Sequence, residues 1–105
     1  MSSKGKLDIR RVEVLKSLIE FAEKKGVVFV PEEFLIYMWY KYKVRRGVYI
    51  RFETIMRYLR EFARVGLLDR YYRFEESAFG RTKVVVYSIR RHALKAELRN
   101  MGVEI

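Results

Sequence analysis

Gly47-Val48-Tyr49-Ile50-Arg51-Phe52-Glu53-Thr54-Ile55-Met56-Arg57-Tyr58-Leu59-Arg60-Glu61-Phe62-Ala63-Arg64-Val65-Gly66-Leu67-Leu68 is the stretch on which the reading of this chain turns. Phe52, Ile55, Met56, Leu59, Phe62 and Ala63 recur at intervals of three and four, the spacing of one buried helical stripe, and Gly66 suits the helix stop. With Leu59 at the centre of that stripe and 100° per residue, the opposite face carries Glu53, Thr54, Arg57, Glu61 and Arg64, with Arg57 nearest its middle. Arg46 and Gly47 break whatever helix precedes, and Val48 to Ile50 is extended. Past Gly66 the apolar period changes from 3.6 to 2, the mark of strands.

Toward the N-terminus the spacing predicts two more helices. Val12, Leu15, Leu18, Ile19 and Ala22 make a stripe from Asp8, a suitable N-cap, to Lys25, with Gly26 as the stop. Val27 to Val30 reads as a short strand, and Pro31, followed by Glu32 and Glu33, opens a second helix that runs to about Lys43. Its inward stripe is Leu35, Met38, Trp39 and Tyr42. Ile36, Tyr37 and Tyr40 fall on its other side, where they are covered either by the terminal helix of the same chain or by a partner subunit. Residues 1–6 read as a frayed basic arm.

Toward the C-terminus, Leu67 to Phe74 and Lys83 to Ile89 read as two strands, joined by a loop from Glu75 to Thr82 too long for a tight turn. A last helix, Arg90 to Met101, carries Ala93, Leu94, Leu98 and Met101 at helical spacing. The domain division is therefore an arm at 1–6, one folded domain at 7–89, and a C-terminal helix and tail at 90–105.

The 105 residues include no Cys and one His, which excludes disulfides and any zinc or iron site needing two or more such ligands. No cofactor is expected, and no small-molecule pocket follows from spacing. Among 23 Lys and Arg against 13 Asp and Glu, the excess is concentrated: residues 1–40 have net +1, residues 41–83 net +7 and residues 84–105 net +2. Lys41, Lys43, Arg45, Arg46 and Arg51 follow one another with no acid between them. A helix dipole accounts for about two such charges; a polyanion accounts for the rest, because clustered cations release counterions from phosphates. The longest uncharged stretch, Phe34 to Tyr40, is far shorter than the roughly 20 residues of a membrane span, so no membrane partner and a cytoplasmic, nucleoid-associated location are expected.

The order helix, short strand, helix, helix, two-stranded hairpin resembles the winged helix-turn-helix superfamily over Asp8 to Ile89. The quoted stretch is similar to the recognition helix of such domains, with Thr54, Arg57, Leu59 and the terminal Gly66-Leu67-Leu68, although Ile50 or Arg51 stands where many members have an N-cap Ser or Thr. Tyr87-Ser88-Ile89 resembles the end of the strand that returns from the wing. Small size, absent Cys and high charge also resemble winged-helix proteins of thermophilic archaea and their viruses. The resemblance implies an α+β fold with a three-helix core, a short strand after the first helix, a two-stranded wing and an added C-terminal helix. It further implies sequence-selective binding of double-stranded DNA in transcriptional regulation.

On this reading Arg51, Thr54, Arg57, Tyr58 and Glu61 read bases, since a helix fits the major groove and Arg can donate two parallel bonds to guanine. Lys41, Lys43, Arg45, Arg46 and Arg64 meet phosphates, and Arg81, Thr82 and Lys83 reach from the wing to the backbone or minor groove. A homodimer would double the footprint, using Ile36, Tyr37 and Tyr40 together with Leu94, Leu98 and Met101. Two rivals are a winged helix that binds structured RNA through wing and link, and one that bridges proteins. No catalytic constellation is present: Ser77 has no base at a suggestive spacing, and Glu75-Glu76 is a charge pair in a loop.

Overall fold

A computed structural model describes residues 8–104; the arm assigned to residues 1–6 lies outside the described residues. Helix α1 spans Ile9–Lys25, strand β1 Val28–Phe29, helix α2 Pro31–Arg45, helix α3 Phe52–Arg64, strands β2 Leu68–Ser77 and β3 Gly80–Ile89, and helix α4 Arg91–Asn100. The three strands form one antiparallel sheet in the order β1-β3-β2.

Local chemistry sets the helix starts. Asp8 caps α1: its carboxylate accepts the Arg10 and Arg11 backbone N–H groups at 3.1 and 3.2 Å, a device worth about 1 kcal/mol. Pro31 begins α2, and the Glu33 carboxylate reaches back 2.9 Å to accept the Val30 N–H. Gly26 ends α1 with φ 107°. The end of α2 is different, because Arg46 and not Gly47 takes the left-handed conformation, with φ 53° and ψ 43°.

Phe21, Phe29 and Phe34 are the hub where α1, β1 and α2 meet, with ring centroids 5.3 to 5.7 Å apart. Ile55, Tyr58, Leu59 and Phe62 bring α3 to the same core, and Leu68, Tyr87 and Ile89 bring the base of the sheet. Val14 and Phe21 join Leu15, Leu18 and Ala22 on the buried side of α1, whereas Val12 and Ile19 lie at its edge. In α2 the buried residues are Pro31, Phe34 and Met38; Trp39, expected inside, is exposed and stacks at a tilt on Tyr42. Tyr42 in turn meets Tyr49 at 5.1 Å, which with buried Ile50 anchors the extended link between α2 and α3.

Helix α4 folds back onto α1. Leu94 and Leu98 are fully buried there, which corrects their assignment to a dimer surface. Two fully buried leucines contribute about 3–6 kcal/mol to the fold of the single chain, so they are not available to a partner. Met101, assigned to the same surface, is half-buried against that core.

The hairpin also departs from expectation. Pairing continues from Leu68↔Ile89 out to Ser77↔Gly80, so residues expected in a long loop are strand and only Ala78 and Phe79 turn the chain. A tight turn is possible without Asn-Gly at its centre because the positive φ falls one residue later, on Gly80 at 112°.

Candidate nucleic-acid interface

Helix α3 is turned relative to the sequence expectation. Its buried residues are Ile55, Tyr58, Leu59 and Phe62, an arc centred about 50° away from Leu59 toward Tyr58. Phe52, expected inside, is 46% exposed, and Tyr58, assigned to base reading, is 2% exposed. The cause is across the helix. Tyr58 stacks on Phe62, its ring carries the Arg11 guanidinium of α1 at 4.8 Å, and its hydroxyl donates to Asp8 Oδ2 at 3.4 Å. An amphipathic Tyr with its tip on a carboxylate fits the core edge better than a Phe at the first helical turn.

The same rotation decides what faces outward. Glu61, assigned to base reading, lies on the α1 side, where its carboxylate accepts a hydrogen bond from Arg11 in an ion pair. Thr54 is half-buried. Arg57, Arg60 and Arg64 form the exposed face with Glu53, which pairs with Arg51 at 3.6 Å. Arg60 was missed in the sequence because an arc centred on Leu59 puts it at the flank; assigning Tyr58 to the core would have found it. Among the described residues Arg57, Arg60 and Arg64 have no acidic partner.

Lys41 is not at this face. Its side chain is 13% exposed and its ammonium lies 3.1 Å from Glu13, 2.8 Å from Glu20 and 2.7 Å from the Ser17 hydroxyl. This corrects its assignment to phosphate binding: three partners from α1 already hold it. Tyr37 belongs to the same cluster, donating its hydroxyl to Glu20 at 3.1 Å, and it also lines a groove beside Ile36 and Tyr40. Lys43, Arg45 and Arg46 are exposed at the end of α2, with Lys43 over the Trp39 ring at 5.8 Å.

On the β2–β3 hairpin, side chains alternate between two faces, so Arg81 and Lys83 share one and Thr82 lies on the other. The first of these faces also carries Arg70, Tyr72 and Phe74. Lys83 sits 4.0 Å and Arg70 5.4 Å from the Tyr72 ring, and Arg81 4.8 Å from Phe74. All are exposed.

No protein-family model and no curated protein sequence matches this chain. Among solved structures it is similar to a PadR family transcription regulator from hypervirulent Clostridium difficile, with 20% identity, a TM-score of 0.50, and 87% of this chain and 90% of that chain covered. The likeness is one of fold, an α+β arrangement of four helices and a three-stranded antiparallel sheet, and it extends across most of both chains. It supplies nothing for the resemblance to archaeal and viral proteins. No helix among the described residues is long and apolar enough to cross a membrane.

Proposed function

We propose that this protein binds double-stranded DNA and regulates transcription, with α3 in the major groove and the wing on the neighbouring backbone or minor groove. One observation carries the reading: the exposed face of α3 holds three arginines without acidic partners, Arg57, Arg60 and Arg64, against one acid, Glu53, and Arg45 and Arg46 at the end of α2 and Arg51 before α3 add to the cationic excess. A single exposed Arg is ordinary surface, but a cluster aligned on one helix and its approach gains from each phosphate it neutralises. Arg57 and Arg60 project from the middle of the helix and are the base-reading pair, while Lys43, Arg45, Arg46 and Arg64 are the phosphate contacts. The solved structure of similar fold is that of a transcription regulator, which agrees with this use of the fold. The chain is read as a binding protein and not an enzyme.

Gel-shift titration against duplex DNA and against structured RNA, each at two salt concentrations, tests the proposal. Neutralising about five phosphates gives a slope of log affinity on log salt near −4 to −5 for duplex. A flat salt response, or tighter binding to folded RNA, would remove it in favour of recognition through wing and link.

Within the same reading, a second copy of the chain is the partner for the exposed side of α2. Ile36, Tyr40 and Val44 are each more than 60% exposed, and with Phe21 and Val28 they line a groove of about 740 Å³ between α1 and α2. Pairing there would present two α3 helices to one near-palindromic site.

A further inference from the structure

Four aromatic rings stand exposed on the wing: Tyr71 is 42%, Tyr72 46%, Phe74 57% and Phe79 100% exposed. Tyr72 and Phe74 share their face of the hairpin with Arg70 and Glu76 on β2 and with Arg81 and Lys83 on β3, since Lys83 opposes Phe74 and Arg81 opposes Glu76. That face has three cations and one acid. The other face has Tyr71 with Asp69, Arg73 and Glu75, and Arg73 is tied to Glu75 at 3.0 Å. The wing is therefore two-sided: one side joins two rings to a cationic excess, and the other has a single ring among weakly acidic side chains.

Cross-strand packing accounts for Tyr72 and Phe74 in part, because rings and cations steady a ribbon that has no core. It does not account for Phe79. The Ser77 hydroxyl accepts the Phe79 N–H at 3.2 Å and donates to the Gly80 carbonyl at 3.0 Å, and Gly80 absorbs the positive φ. The backbone of the turn is thus fixed without the ring, and a polar residue would serve it equally well.

We propose that this face of the wing, with the tip beyond it, binds an unpaired nucleic-acid strand, whose bases stack on Tyr72, Phe74 and the tip residue Phe79 while Arg70, Arg81 and Lys83 take its phosphates. A base stacked on an exposed ring is held more strongly than an exposed cation over that ring. Exchanging Lys83 over Tyr72 for a base is favourable, and the released ammonium gains a phosphate. Tyr72 and Phe74 lie two residues apart on one strand, about 7 Å, room for a base on each. A closed duplex offers these rings nothing comparable, since its bases are already stacked and a step must be prised open before a ring can enter. The preferred target is a strand that is already unpaired, as at a melted segment or a duplex end. The proposal does not rest on the duplex reading: α3 and the wing can succeed or fail separately.

The test is fluorescence anisotropy with labelled dT15 and rU15, which do not pair with themselves, and with a blunt duplex, using the full chain and the variants Phe79→Ser and Tyr72→Leu/Phe74→Leu. The Phe79 ring touches nothing, so Phe79→Ser leaves the melting temperature unchanged and keeps the measurement interpretable. Loss of roughly fivefold or more per ring on dT15 or rU15, with duplex affinity held within twofold, is expected, and the strand that loses more identifies the natural one. Unchanged affinity of Phe79→Ser for both strands overturns the proposal, as does an equal loss on strand and duplex.

Discussion

The Lys41 ammonium and the Glu20 carboxylate meet at 2.8 Å across α1 and α2, with the Tyr37 hydroxyl donating to the same carboxylate oxygen. A lysine inside the most basic segment of the chain is thereby part of the helix packing. Lys41→Met leaves Glu13 and Glu20 together without their cation. Because both acids are partly solvated, the cost is below that of a fully buried pair, about 1–2 kcal/mol. Chemical denaturation should show that loss while the salt slope of DNA binding stays as in the parent. Lys43→Ala should do the reverse, with stability unchanged and a slope smaller by about 1.

The cluster also titrates. Burial raises the Glu20 pKa, but the Lys41 hydrogen bond and charge outweigh it and hold the carboxyl below its ordinary 4.5. A depressed carboxylate stabilises the fold above its unfolded value, and that contribution disappears as pH falls from about 4.5 through the folded value. Burial, then the Glu20 charge, pushes the Tyr37 hydroxyl up to about 12 from 10.0. The sign is the opposite: this contribution is complete below pH 10 and is lost as pH rises toward 12. Denaturation midpoints of Tyr37→Phe should therefore fall less steeply than the parent's across the alkaline window, and Glu20→Gln less steeply across the acid one.

Arg46 holds a left-handed conformation, φ 53°, beside a glycine that does not need it. A non-glycine residue there costs about 1–2 kcal/mol, against about 0.5–1 for the extra chain entropy of Gly. Arg46→Gly should thus raise stability by about 0.5 kcal/mol in denaturant titration while weakening DNA binding on every sequence. A stability gain with unchanged affinity would take Arg46 out of the phosphate contacts.

Element order, the helix limits near Gly26 and Gly66, and the short strand before Pro31 were all legible from period and capping chemistry. The phase of α3 was not. Periodicity fixes the spacing of a stripe but leaves its centre open when Phe52, Tyr58 and Phe62 are all aromatic, and only Arg11 and Asp8 from another helix draw Tyr58 inward. Lys41 was misread for a related reason, since its partners Glu13 and Glu20 are distant in sequence. The hairpin was read too short because Glu75 and Glu76 look like loop residues, whereas pairing with Arg73 and a place opposite Arg81 let them stay in strands.

Arg57 and Arg45 should fail differently as alanine variants. On the exposed face of α3, Arg57 contributes discrimination, about 1–3 kcal/mol between a preferred site and a random one if it grips a guanine. At the end of α2, Arg45 should weaken both sites alike. Competition titrations with random DNA separate the two, and an equal loss on both sites for both variants would leave α3 without a base-reading role. Arg60→Ala should follow Arg57 and not Arg45, because the rotation of α3 moves it to the same outward arc.

Self-association through α2 should respond to salt in the opposite sense from DNA binding. The groove floor is apolar, but Lys24, Lys25 and Arg45 outnumber Glu33 around it, and a two-fold contact sets this net positive patch against itself. Like charges at that distance repel at low ionic strength and are screened once the Debye length falls to a few ångströms, about 3 Å at 1 M. Sedimentation equilibrium should therefore find more dimer as salt rises, while duplex affinity falls over the same range. Tyr40→Glu and Ile36→Glu bury a carboxylate in the apolar floor and should hold the chain monomeric at every salt concentration, whereas Lys25→Glu should favour the dimer at low salt. A parent chain that remains monomeric at high salt and micromolar concentration would leave the α2 face without a second copy, and each α3 would then act on DNA alone.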